Sequence, residues 1–260
     1  MERSPTHRVS CVLPALNEAE SLPATVAEWA AALARCTADY EIIVVDDGST
    51  DDTGRVLREL AERHDRLRVI THARNLGYGT AISNGFAQAS FPLLFFTDAD
   101  GQYEPEDIRL LLERIDTADV AVGYRVGRAD SRLRCALSRG YNFIARTVLG
   151  VSLRDFNCAF KLMHRGGFWR LGMESTGFGV NAELAWSARH ADMTVVEVPV
   201  RHRPRRAGRS TVRPFHVLAA FYGLARVRAR RPPLPAPDRP ASDTASLRLE
   251  ETALPRRPAG

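Results

Sequence analysis

Two carboxylates stand one residue apart in Asp98-Ala99-Asp100, and Gln102 follows two positions later. The run before them, Leu93-Leu94-Phe95-Phe96, is wholly apolar and reads as a buried strand. Residues i and i+2 of an extended chain share a face, so a bend at the strand's end brings both carboxylates and the Gln102 amide toward one point. Carboxylates held that close repel unless a cation lies between them. Hard oxygen donors of this kind suit Mg²⁺ or Mn²⁺, which take one or two carboxylates and complete their shell with substrate phosphate. An Asp-x-Asp triplet alone also fits a solvated turn; its place behind a core strand favours the metal site.

The elements that position this pair alternate. Strands are predicted over 8–13, 40–45, 67–71 and 93–97, the second strongly β-branched. Helices are predicted after each: from Ser21, read as an N-cap with Pro23 behind it, to about 36; from the Asp46-Asp47-Gly48-Ser49-Thr50 turn to about 64; from about Thr80; and from the acidic Glu104-Pro105-Glu106-Asp107. That alternation predicts a mainly parallel sheet between helices, an α/β fold. Ligands of such sheets bind beyond the carboxyl ends of the strands. The sequence places Asn17 and Glu18, Asp46 and Asp47, Arg74, and Asp98 and Asp100 there. Each alone also reads as a cap or turn residue, the reading favoured for Ser49 and Thr50; four polar strand ends together favour a site. Gly77-Tyr78-Gly79 follows the third strand and lacks a third glycine, so it is not read as a dinucleotide fingerprint.

The second half is less regular. Strands are predicted over 119–123, 157–163 and 194–200, and helices over 138–149, bearing Arg139, and 181–190, bearing Glu183. Lys161, the only lysine, reads equally as a site residue or a solvated strand end. Residues 201–231 hold ten arginines and no Asp or Glu, within a chain of net charge +5. Such a block implies an anionic partner: phosphate, nucleic acid or an acidic membrane face. Apolar residues recur at helical spacing over 214–230, which fits an interfacial helix on an anionic membrane surface or a packed C-terminal helix. Seven prolines over 232–260 predict a disordered tail. The expected division is a catalytic domain over 1–213, a membrane-interface helix over 214–231 and the tail.

The 260 residues, 45% hydrophobic and 26% charged, suit one large or two small globular domains. No leader pattern opens the chain, and no window reaches the roughly 18–20 apolar residues of a membrane span. Cys11 and Cys158 lie in apolar runs and are predicted buried and reduced, and none of the four cysteines forms a C-x-x-C pair. The expectation is a cytoplasmic protein, peripheral on the cytoplasmic face of the membrane.

Taken together, Pro14-x-x-Asn17-Glu18, Val45-Asp46-Asp47-Gly48-Ser49, Arg74-Asn75-x-Gly77 and Asp98-Ala99-Asp100 resemble the family 2 glycosyltransferases of the GT-A fold. Gly123-Tyr124-Arg125, Asp155-x-x-Cys158-Ala-Phe160-Lys161 and Arg206-Ala-Gly208-Arg209-Ser210 are similar to the polyprenyl-phosphate sugar synthases. The resemblance covers roughly residues 8–215. It implies a Rossmann-like catalytic domain and a metal-dependent, inverting transfer from a nucleotide-sugar donor to polyprenyl phosphate. It implies that Asp98, Asp100 and Gln102 hold Mg²⁺ or Mn²⁺, and that Pro14, Leu16, Glu18, Asp47 and Ala99 line the donor pocket. Arg125 and Arg139 would meet the acceptor phosphate, with Arg206 and Ser210 over the donor phosphates. Two positions depart from the pattern: Leu16, where many relatives carry an aromatic residue, and Thr211, where they commonly carry Lys. A phosphate acceptor is an anion and attacks without a general base, whereas a hydroxyl acceptor needs one, for which Glu183 is the candidate. The alternative acceptor is therefore a soluble hydroxyl metabolite. Arg125 and Arg139 could instead sit in ion pairs with Asp130 or Asp155. A nucleic-acid-binding module would leave Asp98, Asp100 and Gln102 without a purpose, so no nucleic-acid partner is expected.

Overall fold

The structure, a computed structural model, describes residues 6–127, 132–205 and 214–230. Arg206, Ser210, Thr211, Asp130 and the proline-rich stretch 232–260 lie outside the described residues. After its first residue β1 (Arg8–Ala15) is buried throughout, and β4 (Leu93–Thr97) is buried at every position. Strands buried on both faces belong inside a sheet covered by helices. The two pair in parallel near the middle of a seven-stranded sheet of order β3-β2-β1-β4-β6-β5-β7. Here β2 is Asp39–Asp46, β3 Leu67–Thr71, β5 Val120–Val126, β6 Phe160–His164 and β7 Val195–Arg201. β3 and β7, each mixing buried with exposed side chains, form the edges. β6 runs antiparallel to β4 and β5; every other strand pairing is parallel.

The helices α1 (Leu22–Cys36), α2 (Thr53–Ala61), α3 (Tyr78–Ala87) and α4 (Ile108–Ile115) follow the first four strands as expected. Ser21 stands at the N-cap position but does not cap: its hydroxyl donates to the Glu18 carboxylate at 2.7 Å instead. α5 (Arg132–Leu149) begins six residues earlier than its apolar pattern suggested. α6 (Arg165–Leu171) was not foreseen, because its Gly166-Gly167 pair hides the helical signal. α7 (Val180–His190) and α8 (Pro214–Ala229) complete the chain. Trp29 of α1 packs on Phe95 and Phe160 at ring separations of 5.2 and 5.8 Å, pinning α1 across β4 and β6 just below the strand end that carries Asp98.

Lys161 is not a solvated strand end. It is fully buried in β6, where its Nζ donates to Asn181 Oδ1 at 2.7 Å, to the Phe156 carbonyl at 3.2 Å and to the Cys158 carbonyl. The Phe156 and Cys158 carbonyls turn to that ammonium rather than to a neighbouring strand, and β6 starts at Phe160 rather than 157. Burial lowers the Lys161 pKa to about 8. Cys11 and Cys158 are buried free thiols, as their apolar settings predicted.

α3 lies close against β1 and β2 at Gly85, where an added Cβ would come within 2.4 Å of Val12 Cγ1 and 3.2 Å of Val45 Cγ2. Both valines are stiff and fully buried. Gly85→Ala gains about 1 kcal/mol of helix propensity and loses about 1–3 kcal/mol to overpacking. We expect net destabilisation in urea unfolding; a stabilised variant would show that α3 can shift outward freely.

Candidate active site

From β1 the chain winds out through β2 to β3 and returns to β4 on the other side of β1. The crevice where the direction reverses is where open parallel sheets place ligands. Here it opens into a cavity of about 520 Å³. Pro14, Leu16, Glu18 and Asp47 line it from the first two strand ends, and Asp98, Ala99, Asp100 and Gln102 from the fourth. The β1 and β2 loops are stitched together: Thr50 N–H donates to Asn17 Oδ1 at 2.8 Å, Asn17 N–H to Ser49 Oγ at 2.9 Å, and Glu18 N–H to Thr53 Oγ1 at 2.9 Å. Ser49 and Thr50 are thus turn residues, as favoured from sequence.

Asp47 is a shaping residue as much as a pocket residue. Its Oδ1 accepts from His72 Nδ1 at 2.7 Å and from Leu76 N–H at 2.8 Å, and its Oδ2 accepts from Gly77 N–H at 2.8 Å. Asn84 Nδ2 stands 2.9 Å from His72 Nε2. That contact makes Nε2 the acceptor and leaves the His72 proton on Nδ1, facing Asp47. His72 follows β3 and could have been found by the same strand-end rule that found Asp47.

Asp98 and Asp100 differ from Asp47 in having few donors. Asp98 Oδ1 accepts from the Tyr78 hydroxyl at 2.8 Å, and Asp100 Oδ1 from Gln102 N–H at 3.0 Å. Burial raises both carboxyl pKa values, that of Asp100 to about 7 with Asp98 adding to the rise. The Gln102 side-chain NH₂ donates to the Arg203 carbonyl at 3.3 Å, which leaves its amide oxygen for another partner. Among the described residues no three His, Cys, Asp or Glu side chains form a closed metal cage. Two buried carboxylates that resist ionising together fit an ion shared with a ligand's phosphates. Tyr78 also stacks on Phe178 with ring centroids 5.4 Å apart; it belongs to the Gly-Tyr-Gly segment that carried no dinucleotide motif.

Arg125 lines the cavity and is also gripped by Asp155, with Nε and one terminal nitrogen donating at 2.7 and 3.0 Å. The ion-pair reading therefore holds for Arg125, although Asp155 leaves its second terminal nitrogen out of the pair. Arg139 is exposed on α5 and lies outside the cavity lining; Arg134, five residues earlier, lines it instead. Arg205, the neighbour of the expected Arg206, reaches the carboxylates, while Arg226 and Arg230 line the cavity from α8.

The far wall is the segment 174–179. Gly79 and Thr80 N–H groups donate to the Thr176 carbonyl at 2.7 and 3.2 Å. A Cβ at Gly79 would lie 2.0 Å from the Ser175 carbonyl oxygen, and one at Gly77 2.5 Å from that of Thr176; Gly77 also has φ +99°. Only glycine permits this approach. Behind the wall Glu183, fully buried, accepts Glu174 N–H at 2.8 Å and Ser175 N–H at 2.7 Å and pairs with Arg230. Arg230 also meets the Glu174 carboxylate at 2.9 Å and the Gly172 carbonyl at 2.7 Å. α8 is thus a packed helix as well as a basic one: Leu224 and Val227 are buried, and Arg230 turns inward.

The model of glycosyl transferase family 2 matches residues 10–172. The chain is 31% identical over 234 residues to polyprenol monophosphomannose synthase of Mycolicibacterium smegmatis, covering 85% of this chain and 87% of that one. It is 32% identical over 225 residues to undecaprenyl-phosphate 4-deoxy-4-formamido-L-arabinose transferase of Klebsiella pneumoniae, covering 85% and 67%. Among solved structures, glucosyl-3-phosphoglycerate synthase from Mycobacterium tuberculosis, in complex with Mn²⁺, uridine diphosphate and glucosyl-3-phosphoglycerate, has a TM-score of 0.64 at 20% identity, over 85% of this chain and 80% of that one. The fold is the GT-A arrangement.

In the metal-free protein Asp100 keeps its proton up to about pH 7, whereas the unfolded chain releases it near about pH 4. The folded state therefore binds the extra proton between those values. Its contribution to stability is full below about pH 4 and is lost as pH rises through about 7. We expect Asp100→Asn to raise the melting temperature in EDTA at pH 8, to change it little at pH 5, and to abolish any shift with Mn²⁺. An equal change at both pH values in calorimetry would contradict this.

Proposed function

The chain belongs to the family 2 glycosyltransferases, and we propose that it moves a sugar from a nucleotide-sugar donor onto a polyprenyl phosphate, with inversion at the sugar's anomeric carbon and with a divalent cation at Asp98 and Asp100. The observation that carries the acceptor assignment is the state of the carboxylates on the second-half side of the cavity. Asp155 is bound by Arg125, and Glu174 and Glu183 by Arg230. Glu183, the candidate base for a hydroxyl acceptor, also accepts two backbone N–H groups, so both of its oxygens already hold structural donors. An acceptor that arrives already ionised needs no such base, and guanidinium groups suit its phosphate. The names of the two relatives support the same acceptor class.

In this reading an acceptor phosphate oxygen attacks the anomeric carbon from the face opposite the leaving group. The new C–O bond forms as the bond to the donor diphosphate breaks, and the electron pair leaves with the nucleoside diphosphate. A divalent ion, when bound, neutralises the charge that grows there. The chain's own residues do the rest: Asp47 holds the 75–77 loop of the donor pocket, Tyr78 orients Asp98, and Arg125 and Arg134 attract the acceptor phosphate. Mg²⁺ and Mn²⁺ both suit this donor set.

No helix among the described residues is long and apolar enough to cross a membrane. α5 carries Leu137, Phe143 and Ile144 outward, 52, 66 and 40% exposed, with Arg134 and Arg139 at the edges of that face. We assign this face, beside α8, to an anionic membrane surface, apolar residues down and arginines on headgroups.

Turnover should require the phosphate: with Mn²⁺ and a donor panel, a short polyprenyl phosphate releases nucleoside diphosphate and the matching polyprenol does not. Equal use of the alcohol would return the case to a hydroxyl acceptor. Per folded molecule, Glu183→Gln should keep turnover within about tenfold, short of the roughly 10²–10⁴ expected on losing a general base. In flotation, Phe143→Glu with Ile144→Glu should lower binding to anionic liposomes; unchanged binding would remove α5 from the contact.

A further inference from the structure

One of the two carboxylates expected to share a divalent ion, Asp100, already has a cation beside it. Arg205, four residues beyond the end of β7, reaches over the carboxyl ends of β1 and β4. One terminal nitrogen pairs with Glu18 Oε1, and the other lies 3.7 Å from Asp100 Oδ2. The three side chains are 18, 9 and 14% exposed, so little water screens them. Glu18 is held in turn by the Ser21 hydroxyl at 2.7 Å, which fixes its carboxylate toward the site.

The backbone two residues before Arg205 is anchored. Arg203 N–H donates to the Gln102 carbonyl at 2.7 Å, and its guanidinium pairs with Glu28 at 3.0 Å and with Glu104. Arg205 is thus the first arginine past a fixed point, able to swing without unseating β7. We infer that Arg205 is a resident substitute for the divalent cation: it neutralises Glu18 and Asp100 while no donor is bound, and it turns to the donor diphosphate when the metal takes its place. The inference rests on the metal-dependent reading above.

The physical reason is that two cations compete for one carboxylate. A metal ion at Asp98 and Asp100 repels a guanidinium lying 3.7 Å from Asp100, so the bare ion must push Arg205 off Asp100 against that repulsion. A diphosphate supplies new anionic oxygens beside the same carboxylates and removes that penalty. The ion and the nucleotide then bind cooperatively, and the coupling between them runs through one side chain.

The test is a Mn²⁺ titration followed by electron paramagnetic resonance, first without nucleotide and then with UDP or GDP as the probe, on wild type, Arg205→Ala and Arg205→Lys. Arg205→Ala should bind Mn²⁺ alone about tenfold more tightly than wild type, the factor expected for one charge-assisted contact. The tightening of Mn²⁺ binding by added nucleotide should shrink by a similar factor. Arg205→Lys, which keeps a cation in place, should stay near wild type in both. A cooperative unfolding transition for each variant shows that the comparison is between folded proteins. Equal Mn²⁺ affinity in wild type and Arg205→Ala overturns this inference alone, as does a lysine variant that behaves like alanine. Mn²⁺ bound by neither protein overturns both the inference and the metal dependence beneath it.

Discussion

Carboxylates just past the buried ends of two central strands carry a desolvation cost, and much of this molecule is arranged to meet it. β1 and β4 deliver Glu18, Asp98 and Asp100 to one crevice because the sheet order makes them neighbours. How each carboxylate is satisfied separates structure from chemistry. Asp47 takes three protein donors and Glu183 takes two backbone N–H groups and an arginine; these groups hold loops in place. Asp98 and Asp100 have one short hydrogen bond each, and burial pushes both pKa values up. The under-satisfied pair is the one proposed to share a cation, and the Arg205 guanidinium lies 3.7 Å from Asp100.

The cavity wall depends on parts of the chain that are far apart in sequence. Segment 174–179 is pressed between the glycine-rich start of α3 and the Glu183–Arg230 pair, and α3 in turn presents Tyr78 to Asp98. α8 therefore shares in the core as well as offering a basic surface: its Leu224 and Val227 join the same hydrophobic cluster as β1 and β4. The same helix both packs beside the exposed apolar face of α5 and pins the cavity wall.

Local sequence determined the first half of the protein. Hydrophobic runs of strand length, each ending in polar residues and followed by a helical pattern, were enough to predict the parallel sheet and its carboxyl edge with Glu18, Asp47, Asp98, Asp100 and Gln102 on it, whereas Pro14, Leu16 and Ala99 were expected there only from the resemblance to family 2 glycosyltransferases. The sheet and its edge are properties of period and position, which survive in a linear reading. What only the tertiary structure decided were the long-range partnerships. Nothing local distinguishes Arg134, which lines the cavity, from Arg139, which is exposed outside it; their difference is the helical phase of α5, which packs on α8. Lys161 looked evenly poised until the antiparallel insertion of β6 put it in the sheet's interior, with carbonyls and Asn181 as partners. Glu183 looked like a base until the wall and α8 closed around it. In each case the side chain's chemistry was written in the sequence, but whether its charge is spent on the fold or kept for a substrate depends on neighbours that only packing brings within reach.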